Sequence, residues 1–280
     1  MARVPIVALL SAVALAATVT AASPPQAPAA GAPAARAPLD HTGVTGRIID
    51  VPARGTVVAT ADCPAGTEPS GGGGGTTGQG TLISGSAPSG NSWNLTVSNL
   101  TGENKQAAGY VLCTHNTHAR VTGPAVTVPA GGTATAFASC PSGEHPAGGG
   151  FVPGRGFLSA SAMYTDPSGR WKVTVANNDG AAQTVSAFVL CTPAPVTLRE
   201  SSRVLAVGEQ AHETAACADG QRPSGGGGYA AGSTGAPGVV ISSSRGLPEG
   251  TGPNKGWTVF GKNNTASPQT FTVQSICTTF

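Results

Sequence analysis

The feature that most constrains this chain is a threefold internal repeat. Cys63, Cys140 and Cys217 follow one another at intervals of 77 residues. Each opens the same pattern: CPAGTEPSGGG from Cys63, CPSGEHPAGGG from Cys140 and CADGQRPSGGG from Cys217. One tryptophan follows in each copy (Trp93, Trp171, Trp257). An asparagine stands 6 residues beyond it (Asn99, Asn177, Asn263) and a second cysteine 20 residues beyond it (Cys113, Cys191, Cys277). Between the two cysteines of a copy, length varies only ahead of the tryptophan, where first cysteine and tryptophan lie 30, 31 and 40 residues apart. Self-similarity at a fixed period marks a repeat architecture, each copy one supersecondary unit.

Within a copy the pattern has period two. Trp171, Val173 and Val175 alternate with Lys172 and Thr174, and Val185, Ala187, Val189 and Cys191 share one face of a later strand. Gly131-Gly132 and Asn177-Asn178-Asp179-Gly180 are hairpin-type turn signals, and Ala87-Pro88-Ser89-Gly90 and Asp166-Pro167-Ser168-Gly169 are proline turns. Two strands are expected before each opening cysteine, a glycine loop after it, and then three more strands. Helical periodicity is absent after the first residues. The tryptophans, in phase with valine, are expected to fill the interior instead of forming stacking platforms. Phe151 and Tyr229, just past their glycine runs, are the candidates for exposed aromatics.

Six cysteines allow fifteen pairings. The repeat favours one bridge inside each copy: Cys63–Cys113, Cys140–Cys191 and Cys217–Cys277. The alternative joins neighbouring copies, for instance Cys113–Cys140. A unit of this size with two or three aromatics builds a weak core, and closing a loop of about 50 residues contributes about 4 kcal/mol on the chain-entropy model. Metal binding is not expected, because no C-x2-C pair and no recurring histidine exists.

The start of the chain reads as an export signal. Arg3 precedes an apolar run from Val4 to Val19, then small residues with a cleavage-type pattern near Ala21. The expected organisation is a signal peptide over 1–22, a Pro/Ala-rich linker over 23–42, and β modules over 43–117, 118–194 and 195–280. The mature chain has no apolar run long enough to span a bilayer. Net charge is +2 with only 10% charged residues and no basic run. Nucleic acid, which is held largely through phosphate neutralisation, is therefore not an expected partner.

Motifs that could carry chemistry have structural readings. The glycine runs Gly71–Gly75, Gly148–Gly150 and Gly225–Gly228 lack the Lys-Ser or Lys-Thr of a phosphate loop, so a bulge or tight crossing is expected. His115 and His118 occur in one copy only and read as solvated linker residues; His41, His145 and His212 are isolated. The 13 acidic residues show no repeated pair of the kind a glycosidase uses, and no nucleophile motif is present. No catalytic, cofactor-binding or metal-ligating residue is assigned. The cysteines Cys63, Cys113, Cys140, Cys191, Cys217 and Cys277 are the assigned positions, and the ligand-binding residues are open.

The combination of C-P-x-G, G-G-G, W-x-V, N and C behind an export signal resembles a loose group of secreted proteins of high-GC Gram-positive bacteria. That resemblance covers residues 44–280 and implies export and a β-rich module. The chain is also similar in outline to the vitelline membrane outer layer protein family, which has three β repeats with C-x2-G elements closed into a three-fold β-prism. The acidic D-D-T-A-type element of that family is missing here, so the likeness is architectural.

The expected fold is all-β, with three tandem Greek-key or sandwich-like modules, each holding one disulfide. The alternative is a single pseudo-three-fold, prism-like assembly. The expected function is that of a secreted, non-catalytic repeat protein binding an extracellular ligand (polysaccharide, cell wall or protein), with no cofactor. A structural envelope or matrix component, and an enzyme with its site in the insertion of the third copy (Gly232 to Gly256), are the alternatives.

Overall fold

The computed structural model describes residues 41–154, 157–230, 238–247 and 255–279. The expected export signal, the Pro/Ala-rich stretch up to residue 40 and most of the third-copy insertion lie outside the described residues. The first copy contributes β1 (Thr42–Thr45), β2 (Ile49–Val51), β3 (Thr56–Asp62), β4 (Glu68–Thr76), β5 (Thr81–Ser89), β6 (Ser92–Asn99) and β7 (Lys105–Thr114). The second contributes β8 (Ala119–Thr122), β9 (Val126–Val128), β10 (Thr133–Ser139), β11 (His145–Pro153), β12 (Leu158–Thr165), β13 (Arg170–Asn177) and β14 (Gln183–Thr192). The third contributes β15 (Thr197–Leu205), β16 (Gln210–Ala216), β17 (Gln221–Ala230), β18 (Val239–Gly246), β19 (Gly256–Asn263) and β20 (Gln269–Thr279). The fold is all-β, and among the described residues there is no helix, so none long and apolar enough to cross a membrane.

Each copy is a small two-leaved sandwich. In the first, β1, β7 and β4 form one leaf and β3, β6 and β5 the other, and β3, β6 and β4 pack between leaves. Gly131-Gly132 marks the passage from leaf to leaf. It does not close a hairpin, because β9 pairs with β14 while β10 pairs with β13. One disulfide ties the leaves of each copy: Cys63–Cys113, Cys140–Cys191 and Cys217–Cys277, with Cα separations of 5.6, 5.6 and 5.7 Å.

The copies interlock. Sheet I runs β1-β7-β4-β18-β19-β16, sheet II runs β3-β6-β5-β11-β14-β8, and sheet III runs β10-β13-β12-β17-β20-β15, with β2 and β9 added beside β7 and β14. Every sheet therefore joins the first leaf of one copy to the second leaf of another, and the third copy closes back on the first. The sandwich-like modules thus stand in a closed pseudo-three-fold arrangement. The stretch between the first two copies, expected to be a linker, carries β8, which pairs with β14 from Ala119 to Thr122.

The glycine runs are not loops, as the sequence led us to expect, but the middles of β4, β11 and β17. Two close approaches explain why. At the pseudo-axis a Cβ on Gly71 would lie 2.3 Å from the Ser224 carbonyl oxygen, one on Gly148 2.7 Å from that of Ser70, and one on Gly225 2.6 Å from that of Ala147. The three strands meet there backbone to backbone. One residue on, a Cβ at Gly72, Gly149 or Gly226 would lie 2.3 to 2.4 Å from the indole of Trp93, Trp171 or Trp257. Each run begins with a β-bulge after its proline (Pro69, Pro146, Pro223), which reverses which side faces inward.

The tryptophans are buried, at 0 to 1% exposure. Apolar side chains of all three copies form one core, with a satellite around Trp93, Cys63, Cys113 and Phe188. Burying Val173 or Val175 contributes about 2 kcal/mol relative to exposure. Asn99, Asn177 and Asn263 are buried clasps. Asn177 Nδ2 donates to the carbonyls of Val128, Pro129 and Ala181, and the other two repeat this on their own copies. The symmetry is broken in places. Trp93 and Trp257 donate to the Ser86 and Ser244 hydroxyls at 2.9 and 2.8 Å, whereas Met163 takes the place of those serines on β12 and the Trp171 N–H has no partner among the described residues.

Candidate functional site

At the seam where two copies share a sheet, β4 meets β18, β11 meets β5 and β17 meets β12 over one or two residues each. Diagonal neighbours across such a ladder lie within reach of long side chains. On the solvent side these diagonal pairs are Gly75 with Arg245 in sheet I, Val152 with Ala87 in sheet II, and Tyr229 with Tyr164 in sheet III. The repeat thus gives one frame with three different surfaces.

Sheet III carries the most elaborated one. The Tyr164 and Tyr229 rings stack at 4.1 Å between centroids with an interplanar angle of 24°, and Lys172 Nζ lies 5.5 Å from the Tyr164 centroid. Beside the pair is a hollow of about 410 Å³ lined by Thr165, Asp166, Pro167, Leu198, Glu200 and Gln274 as well as the two rings. Gln274 occupies the place held by Tyr110 and Phe188 in the other copies, three residues before the second cysteine. Its Oε1 accepts from the Thr165 N–H at 2.8 Å, and its Nε2 donates to the Thr165 carbonyl and to Glu200 Oε1, each at 3.1 Å. The amide zips together β12 and β20, bridging the place where β12 and β17 part. Glu200 Oε1 also accepts from the Tyr229 hydroxyl at 3.3 Å, which leaves Oε2 with no partner among the described residues. Burial and the Glu200 charge hold the Tyr229 phenol above its ordinary pKa, so it stays a neutral donor.

Asp166 closes one end of the hollow. Burial works against its charge, but hydrogen bonds from Ser168 and Arg170, with the Arg170 charge, outweigh that and hold the carboxyl below its usual pKa. The pair with Arg170 is two-pronged, with Nε and Nη2 at 3.0 and 2.8 Å from Oδ2. Thr165 Oγ1 is buried without a partner. The hollow therefore offers an apolar wall, fixed acceptors, and an amide locked in orientation.

The expected aromatics divide. Tyr229 is half-exposed and belongs to this hollow, whereas Phe151 is 0% exposed and in the core. The third glycine run is one residue longer, so Phe151 corresponds to Gly228, and Val152, at 46% exposure, corresponds to Tyr229. His118, expected to be a solvated linker residue, is buried at 5% before β8, and His41 at 3% holds the same place before β1. His115 is exposed. Among the described residues no three His, Cys, Asp or Glu side chains are grouped to hold a metal ion. The glycine runs meet backbone and indole, not a phosphate-sized space.

Tyr164, Glu200 and Gln274 were not singled out in the sequence. They come from two copies and meet only because β12 and β17 share a sheet. The one signal for them is that Gln274 replaces an aromatic residue at an otherwise aromatic position. No family model matches the chain, and no curated protein matches it.

Proposed function

We propose that this is a secreted, non-catalytic carbohydrate-binding protein that seats a neutral sugar in the sheet III hollow. The observation that carries the reading is the Tyr164–Tyr229 stack beside Glu200 and Gln274, which meet there and at no equivalent seam. A sugar presents an apolar C–H face and a rim of hydroxyls. Aromatic rings with Leu198 match the first, and the open Glu200 Oε2 matches the second. Asp166 is tied to Arg170 and Glu200 Oε1 accepts two bonds, an arrangement that fixes both carboxylates as acceptors. Three disulfides favour an oxidising compartment, which supports export. The divergence of the seams favours one specialised site over three equal weak ones acting by avidity.

The test is affinity electrophoresis and calorimetry of the oxidised protein against neutral oligosaccharides (chitin, cellulose and mannan fragments). Binding to one of them is expected, weakened at least about tenfold by Tyr229→Ala and by Glu200→Gln with melting temperature held. A tenfold loss corresponds to about 1.4 kcal/mol. Binding that ignores both substitutions, or no binding to any neutral glycan, would remove the proposal.

A further inference from the structure

The equivalent seam on sheet I has the opposite character. Gly75 stands where sheet III has Tyr229, and the missing side chain leaves a hollow of about 380 Å³ floored by Gly74, Gly75 and Ala108. A second hollow of about 460 Å³ adjoins it, lined by Gln79, Gln210, Ser242 and Phe260. The two share Thr76 and Ser243, so they form one groove. Its lining comes from all six strands of the path β1-β7-β4-β18-β19-β16. At the spacing of paired strands that is roughly 24 Å, room for several sugar units in a row.

The chemistry of the groove is consistent along its length. Among the described residues, no aspartate or glutamate lines either hollow. Arg245 lines the first, is exposed, and forms no ion pair or hydrogen bond among the described residues. Lys262 lies at the border of the second, with Nζ donating to Gln79 Oε1 at 3.3 Å. Gln79, Gln106 and Gln210 supply side-chain amides, and Phe260, stacked with His212 at 6.3 Å, supplies an apolar face. A single guanidinium with no ion pair among the described residues, set in a row of amides and hydroxyls, suits a carboxylate, which it meets in a planar two-pronged way, at low charge density.

We infer that the sheet I groove binds an extended uronate-type polysaccharide, with Arg245 on a carboxylate and the glutamines on ring hydroxyls. This site is independent of the sheet III hollow, and together they would let one molecule hold two different glycans.

The test is calorimetry and affinity electrophoresis of the oxidised full chain with oligogalacturonate, with dextran sulfate and neutral dextran as comparisons. Binding to oligogalacturonate is expected, falling as salt rises and weakened at least about tenfold by Arg245→Gln. Gly75→Val should weaken it similarly by filling the floor. The fold carries valine at the matching position, Val152, and the nearest obstruction at Gly75 is the Ser243 hydroxyl. Should Gly75→Val fail to fold, the exposed Arg245→Gln still decides. Tyr229→Ala should leave this binding unchanged, so failure here and failure of the sheet III proposal are told apart. Equal binding to neutral dextran, preference for dextran sulfate, or oligogalacturonate binding indifferent to Arg245→Gln would each overturn the inference.

Discussion

Trp171 lies against Gly149 so closely that a Cβ on the glycine would sit 2.4 Å from the indole Cδ2. The same relation holds for Trp93 with Gly72 and Trp257 with Gly226. Gly149→Ala should therefore destabilise the fold by overpacking, by about 3 kcal/mol. Gly180, with nothing within 4 Å of its Cβ position, is the control, and its alanine variant should change stability by about 0.5 kcal/mol or less. Urea unfolding midpoints of the two variants decide the matter. Equal midpoints would mean that the indole has room to move.

Cys140 and Cys191 tie the leaves of the second copy across a sequence separation of 51 residues. On the chain-entropy model that closure contributes about 4 kcal/mol. The double variant Cys140→Ala/Cys191→Ala should lose about that much unfolding free energy. The leaves of the second copy lie in different sheets, so the loss should lower the unfolding midpoint of the whole described fold. A calorimetric trace in which one third of the enthalpy melts early would instead show the copies to be separable.

Asn177 donates from Nδ2 to three carbonyl oxygens at 3.1, 3.1 and 2.8 Å. Asn177→Asp would set a buried carboxylate against those oxygens. Its pKa in the fold would then rise above the unfolded value of about 3.9. The unfolded chain gives up its proton first, so the deficit relative to wild type grows as pH rises through about 4 and is full near pH 7. There it should reach about 3–5 kcal/mol. Melting temperatures of both proteins from acid to neutral pH test this, and a gap that does not widen would show that the carboxylate escapes to water.

The strands themselves are legible because alternation and disulfide spacing are local to a copy. Trp171, Val173 and Val175 read as one inward face and are buried together. What is not legible is which copy completes each sheet. The β17–β12 pairing rests on two residues, and nothing in either strand's pattern names its partner. The glycine runs read as loops because glycine weakens an ordinary strand. They are strands because indoles and neighbouring backbones occupy the side-chain space. Phe151 faces the core because the bulge after Pro146 reverses the facing, and the unequal glycine runs hide its equivalence to Gly228. The sheet III site escapes for the same reason as the sheets: Thr165 and Gln274 are 109 residues apart and meet only through the exchange of leaves.

His118 shows how a polar residue before a short strand becomes a pH-sensitive element. It is 5% exposed, and burial pushes its imidazole below the ordinary value of 6.5, opposed by the Asn116 backbone and the Glu68 charge. The neutral ring is the form the fold prefers. The unfolded chain therefore takes up the proton first as pH falls below about 6.5, and stability drops from there until the folded imidazole also titrates. Above that pH the group has no effect of this kind. His118→Val should remove its share of the acid loss, and the third copy already places Val196 in the corresponding position before β15. The expected result is a variant no less stable than wild type near neutrality, whose advantage in melting temperature grows between about pH 7 and pH 5. A constant difference across that range would mean that the proton reaches His118 in the folded protein as readily as in the unfolded chain.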